Sequence, residues 1–265
     1  MEIIRHGEDK AYEAAWSGCV ESLNALIEKD PHILRNLAPV LTSKTLTPLH
    51  ISASLGHLEI TKTYLTYIPE LAEALNSVRS TPLHLASSEG HKEIVQALLL
   101  VYPGACLCFD EKGRIPLHYA AMRGDVEVLK KLTHANHDSI YVRVDNRSTV
   151  LHLCVKYNQL ECLKFLVQLV RDNGEFLNSK DGSDAGMTIL QLAWMRGQVQ
   201  IMFMSSVALQ INSVRINLHF VCVDYDKRTL LRYWCMLTQV STDQAENAPE
   251  SLNHEAFLES EDWRP

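Results

Sequence analysis

The sequence predicts an all-α solenoid, built from stacked helix–turn–helix units with short β-hairpin turns. Three observations predict it. The tetrad "TPLH" at Thr47 returns at Thr81, as "IPLH" at Ile115 and as "TVLH" at Thr149, each step being 34 residues. A second motif follows each tetrad at constant distance: "GHLEITKTYL" from Gly56, "GHKEIVQALL" from Gly90, "GDVEVLKKL" from Gly124 and "NQLECLKFLV" from Asn158. Within that motif the apolar residues share one helical face, as Ile94, Val95, Leu98 and Leu99 do. A unit of this size cannot bury its apolar faces alone, so neighbours must stack.

Residues 1–8 read as an N-terminal leader. Residues 9–46 read as a degenerate unit plus a connection, in which Ala15 and Gly18 of "AYEAAWSGCVESLNALI" match Ala53 and Gly56. The unit at 47–80 opens on Thr47, whose hydroxyl can cap a helix, with Pro48 at the first helical position, where a missing N–H costs nothing. The unit at 81–114 repeats that start with Thr81 and Pro82 and stops its first helix at Gly90. The unit at 115–148 opens on Ile115 and ends in a turn near Asp145. In the unit at 149–187, Asn158 stands for the stopping Gly, and "RDNGEFLNSKDGSDAG" predicts a longer loop. A partial unit, "TILQ" onward, fills 188–204. Residues 205–240 diverge from the pattern. Residues 241–265 hold seven acids and one base, so they are expected to be disordered.

The composition narrows the function. Net charge is −7, concentrated in the acidic end, and no basic stripe runs along the chain, so nucleic acid is not expected as a partner. The seven cysteines show no paired spacing and "MEIIRHGEDK" has no apolar signal core, which points to a reducing, cytoplasmic setting. The late apolar stretch 201–223 carries Arg215 near its middle and does not read as a membrane span. No phosphate-binding glycine loop, nucleophile elbow or kinase signature is found. No catalytic residue, metal, cofactor or small-molecule substrate is therefore expected.

The repeated unit resembles the ankyrin repeat over roughly residues 10 to 204: Thr-Pro-Leu-His, then Ala, then Gly-His, then an Ile/Val/Leu-rich helix. The resemblance implies an ankyrin solenoid that binds proteins and is not an enzyme. It implies structural roles for Thr47, His50, Thr81, His84, His118, Thr149 and His152, with each histidine bracing neighbouring turns. It also implies a concave binding face made of the hairpin tips and the exposed ends of the first helices. Residues that vary between copies there are Trp16, Leu55, Arg79, Ser88, Glu89, Lys112, Arg114, Met122, Arg123, Arg147, Lys156, Tyr157, Met195 and Arg196. Aromatic residues, Met and Arg are the side chains that interfaces favour.

Unit ends such as "YIPELAEALN" and "VYPGACLCFDEKG" resemble plant ankyrin-repeat proteins that continue into membrane spans with a Pro-Gly-Gly motif. That resemblance implies a scaffold or adaptor in stress or defence signal transduction, with typical members at the plasma membrane or another membrane. This sequence has no Pro-Gly-Gly, so a truncated or alternatively spliced product is expected. Two other readings follow from the same residues: the targeting part of a larger enzyme, or a soluble decoy of a membrane-bound form.

Overall fold

The computed structural model describes residues 2–42, 46–144, 148–182 and 186–198. Contacts divide the chain into two compact units, Met1–Leu192 and Ala193–Pro265.

The first unit is two layers of helices. One layer consists of first helices: α1 (Glu2–Ser17), α4 (Pro48–Leu55), α6 (Pro82–Glu89), α8 (Pro116–Arg123) and α10 (Val150–Lys156). Each packs against the next in that order. The other layer consists of second helices: α2 (Val20–Lys29), α5 (Leu58–Tyr67), α7 (Lys92–Val101), α9 (Val126–Ala135) and α11 (Leu160–Val170), likewise in sequence. Also present are α3 (Ile33–Thr42), α12 (Gly174–Leu177) and α13 (Ile189–Met195), the last of which runs from the first unit into the second.

The core follows the 34-residue register. Leu49, Leu83, Leu117 and Leu151 are fully buried, as are Ala86 and Ala120 at one small-residue position and Ala53 and Ala121 at the next. Each such leucine contributes about 1.5–3 kcal/mol by leaving water. The second helices bury pairs one turn apart, such as Ile94/Val95 with Leu98/Leu99 and Val128/Leu129 with Leu132. One unit differs in chemistry at two register positions: Ser52 and Thr61 replace apolar residues but bond to each other (Thr61 Oγ1 to Ser52 Oγ, 3.0 Å).

Three features depart from the sequence reading. Residues 2–8, separated there as a leader, are the opening turns of α1. The degenerate unit's connection forms α3, whose Ile33 and Leu37 pack close to Gly7 of α1, where a Cβ would come within 3.2 Å of Leu37. The expected β-hairpins are reduced to single turns: among the described residues no β-strand forms. Instead, second helices α5, α7 and α9 are followed by 3₁₀ turns at Pro69–Glu73, Pro103–Leu107 and His137–Tyr141. Proline starts two of them, because its fixed φ suits the first position and its lost N–H is not needed. The chain left over closes one turn: Asn76 N–H to Ser80 O (3.0 Å) and Asp110 N–H to Arg114 O (2.9 Å). The Asn76 and Asp110 side chains each accept two backbone N–H groups within those turns.

Candidate functional site

Two ladders of hydrogen bonds run along the repeats, and they separate scaffold residues from residues left exposed. The first ladder is made by the tetrad histidines. Nε2 of His50, His84, His118 and His152 lies 3.0–3.2 Å from the carbonyls of Ser80, Arg114, Val142 and Met187. A carbonyl can only accept, so Nε2 carries the proton and Nδ1 is left as an acceptor. Nδ1 then accepts from its own unit: the Thr47, Thr81 and Thr149 hydroxyls at 2.8–2.9 Å, and the backbone N–H of residues 47, 81, 115 and 149. Each imidazole thus ties the start of a first helix to the closing segment of its own unit, just before the next first helix begins. The fifth copy reaches half of this arrangement with an amide: Gln191 Oε1 accepts the Thr188 N–H at 2.9 Å.

All four rings are buried, and burial holds each below the ordinary imidazole pKa, with His50 and His118 pushed down to about 4. They are neutral near pH 7, and their nitrogens are occupied within the fold.

The second ladder lies at the far ends of the first helices. Gly56, Gly90 and Gly124 take the left-handed conformation there (φ 76° to 91°), and Asn158 does so at φ 58°. Side chains from the next unit pass close over these positions. A Cβ on Gly56 would come within 2.7 Å of the His91 ring, and one on Gly124 would collide with the Gln159 amide. The next unit reaches back to the end of the preceding helix: His91 Nε2 to Ser54 O (3.0 Å), and Gln159 Nε2 to the carbonyls of Met122 and Arg123 (3.1 Å each). In the unit between, the matching residue is Asp125, which has no proton to donate to a carbonyl. Arg123 takes over, with Nη1 donating to Ser88 O at 2.9 Å, while Asp125 caps α9 through Val128 N–H.

Around this ladder the structure gathers many of the varying residues. Leu55, Glu89, Arg123 and Tyr157 stand at equivalent ends of consecutive packed helices, all exposed. Ser88, Met122 and Lys156 occupy the preceding row, with Ser88 and Met122 half-buried and Lys156 exposed. Trp16, 59% exposed, ends α1 beside α4. Arg123 reaches Glu89 (3.4 Å) as well as Ser88, so its charge is engaged within the molecule. Arg79, Lys112 and Arg114 belong to the turns. Met195 and Arg196 are exposed but lie in the second unit, and Arg147 lies outside the described residues.

Tyr119 joins α8 to the turn at 110–114, and the sequence reading missed it. Its hydroxyl donates to Asp110, and the Arg114 guanidinium lies 5.8 Å from its ring centroid. The available signal was its register: Tyr119 matches Ile51, Leu85 and Leu153, and only it can bond to an acid. Exposed Leu75 and Phe109, also missed, match each other one unit apart on the turns.

Among the described residues, no group of His, Cys, Asp or Glu is arranged to hold a metal, and no helix is long and apolar enough to cross a membrane. Cys106, Cys154 and Cys162 are buried, which raises their thiol pKa values, to about 11 for Cys106 and Cys162, so they are poor nucleophiles.

The family model for ankyrin repeats (3 copies) matches residues 11–108 and 101–181. The chain belongs to the ankyrin-repeat family. A comparison with curated proteins found no match. The ankyrin repeats make this chain a protein-interaction module, with protein as the class of partner. In these ankyrin repeats the recurring His and Gly positions belong to the two ladders. The positions free to vary are the helix ends and turns between them.

Proposed function

We propose that the ankyrin repeats dock a protein partner on the face formed by the turns and the ends of α1, α4, α6, α8 and α10, and that the chain serves as a scaffold or adaptor. One observation carries this reading: bulky residues stand exposed where the repeat register requires nothing of them. Trp16, Leu55 and Tyr157 are 59%, 43% and 39% exposed, at the ends of helices whose Ala15, Ala53 and Cys154 are fully buried. Anchors of this kind supply most of the energy at protein interfaces.

The unit ends that resemble the plant family form the proline-led 3₁₀ turns described above. That resemblance supports a role in stress or defence signalling. The free thiols Cys19, Cys106, Cys108, Cys154 and Cys162 agree with a reducing, cytoplasmic setting.

The test compares proteins captured from plant extract by the full chain and by a Leu55→Ala/Tyr157→Ala variant. Both side chains are exposed, so the fold is kept, which circular dichroism checks. The proposal expects the variant to lose specific partners. Capture of the same set at the same yield counts against this face.

A further inference from the structure

We infer that the turns of the units at 47–80 and 81–114 form a cationic, apolar-flanked subsite for an acidic, extended segment of a protein partner. This rests on the protein-docking reading and names the chemistry of what docks.

The contrast between the two faces of the repeats carries it. On the second helices, three lysines are paired within their own helix: Lys62 with Glu59, Lys130 with Glu127 and Lys164 with Glu161, all at 2.7–2.8 Å. On the turns, Arg79, Lys112 and Arg114 form no ion pair among the described residues. Within residues 75–80 and 109–114 the acids are Asp110 and Glu111. Asp110 is consumed, accepting from the Lys112 and Arg114 backbone and from the Tyr119 hydroxyl. Glu111 remains beside three cations.

The turns that carry the cations are held in place. The Glu111 N–H donates to the Val78 carbonyl (3.1 Å), which fixes the two turns side by side. Arg114 lies over Tyr119 at 5.8 Å. Arg79 sits in the left-handed conformation (φ 59°), one register step from Gly113 (φ 62°). An arginine is held there at the cost of backbone strain that glycine would avoid.

Leu75, Val78 and Phe109 flank the cations and are 42%, 40% and 48% exposed. Fixed cations beside aliphatic and aromatic surface complement carboxylates interleaved with apolar side chains. Phosphate backbones would find the cations but have nothing to place on Leu75 and Val78, so a polypeptide is favoured. Stacked helices lie about 10 Å apart. An extended chain rises about 3.3 Å per residue. A matching segment therefore offers an acid at every third residue.

The probe is a fluorescein-labelled twelve-residue peptide of four Glu-Leu-Ser repeats, titrated with the full chain by anisotropy in low and moderate salt. The variant is Arg79→Gly/Lys112→Ser. It removes two cations and relieves the strain at position 79, so lost binding cannot be attributed to a weakened fold. The wild-type chain is expected to bind in low salt. The variant is expected to bind about fivefold or more weakly. No binding by wild type, or equal binding by the variant, overturns the inference. Tighter binding of a twelve-nucleotide single-stranded RNA than of the peptide overturns it in favour of a nucleic acid. If the peptide fails while Leu55→Ala/Tyr157→Ala still loses its partners, the docking face stands and only its acidic specificity is refuted.

Discussion

Arg123 Nη1 donates to the carbonyl of Ser88 across the boundary between two repeats. The bond replaces the one that His91 and Gln159 make in the neighbouring units, because Asp125 at their register position cannot donate. A side chain that varies between copies is therefore part of the scaffold in this copy.

This has a direct consequence for stability. Arg123→Ala removes a charged donor from a helix-end carbonyl and is expected to cost about 1 kcal/mol. Glu89→Ala removes only the exposed ion pair at 3.4 Å and is expected to change stability by less than about 0.5 kcal/mol. Urea denaturation followed by circular dichroism separates the two.

The histidine ladder predicts a loss of stability in acid. Unfolded histidine titrates near 6.5, while burial pushes folded His50 and His118 down to about 4. The unfolded chain therefore binds more protons below pH 6.5. Stability is full above that pH and is lost as pH falls toward 4. At pH 5 the loss is on the order of 2 kcal/mol for each of these two residues. Thermal melts at pH 7.5, 6 and 5 should show the midpoint falling steeply. His50→Gln, which copies the residue at Gln191, should flatten that dependence.

Arg79 predicts a gain from a glycine. The residue is held at φ 59° without the freedom that Gly113 has at the same place one repeat later. Arg79→Gly is expected to stabilise the fold by about 0.5–1 kcal/mol. The same substitution at an exposed position with ordinary φ would destabilise it or leave it unchanged.

Ser87 predicts a second gain. It is fully buried and its hydroxyl has no hydrogen-bond partner. The register places Ala53 and Ala121 at the same position, so the pocket already suits a methyl group. Ser87→Ala is expected to stabilise the fold by about 1 kcal/mol, read as a shift in urea midpoint at unchanged slope.

Much of the fold was legible because its causes are local and repeated. Thr81, Pro82 and Gly90 announce a helix start and stop through capping, fixed φ and left-handed backbone, and the structure has α6 between them. The 3₁₀ turns were not legible as such. Pro69 and Pro103 signal a break, but whether a strand or a 3₁₀ turn follows depends on how the next unit packs. The helix from Ile33 to Thr42 was hidden by Pro39 inside it, and its buried Ile33, Leu34, Leu37 and Leu41 reveal the reason it forms. For the site, the varying positions could be read from register alone. Their exposure and pairing could not, because Arg123 and Tyr119 find partners 35 and 9 residues away that no motif marks.

Hydrogen exchange of the full chain, alone and with a captured protein partner, tests whether the helix ends and turns are the docking face. Docking there brings new protection at the ends of the first helices, residues 54–55, 88–89, 122–123 and 156–157, and at the turns 76–80 and 110–114. No change is expected along the outer faces of α5, α7 and α9. Protection confined to those outer faces, with the helix ends and turns unchanged, would contradict docking there.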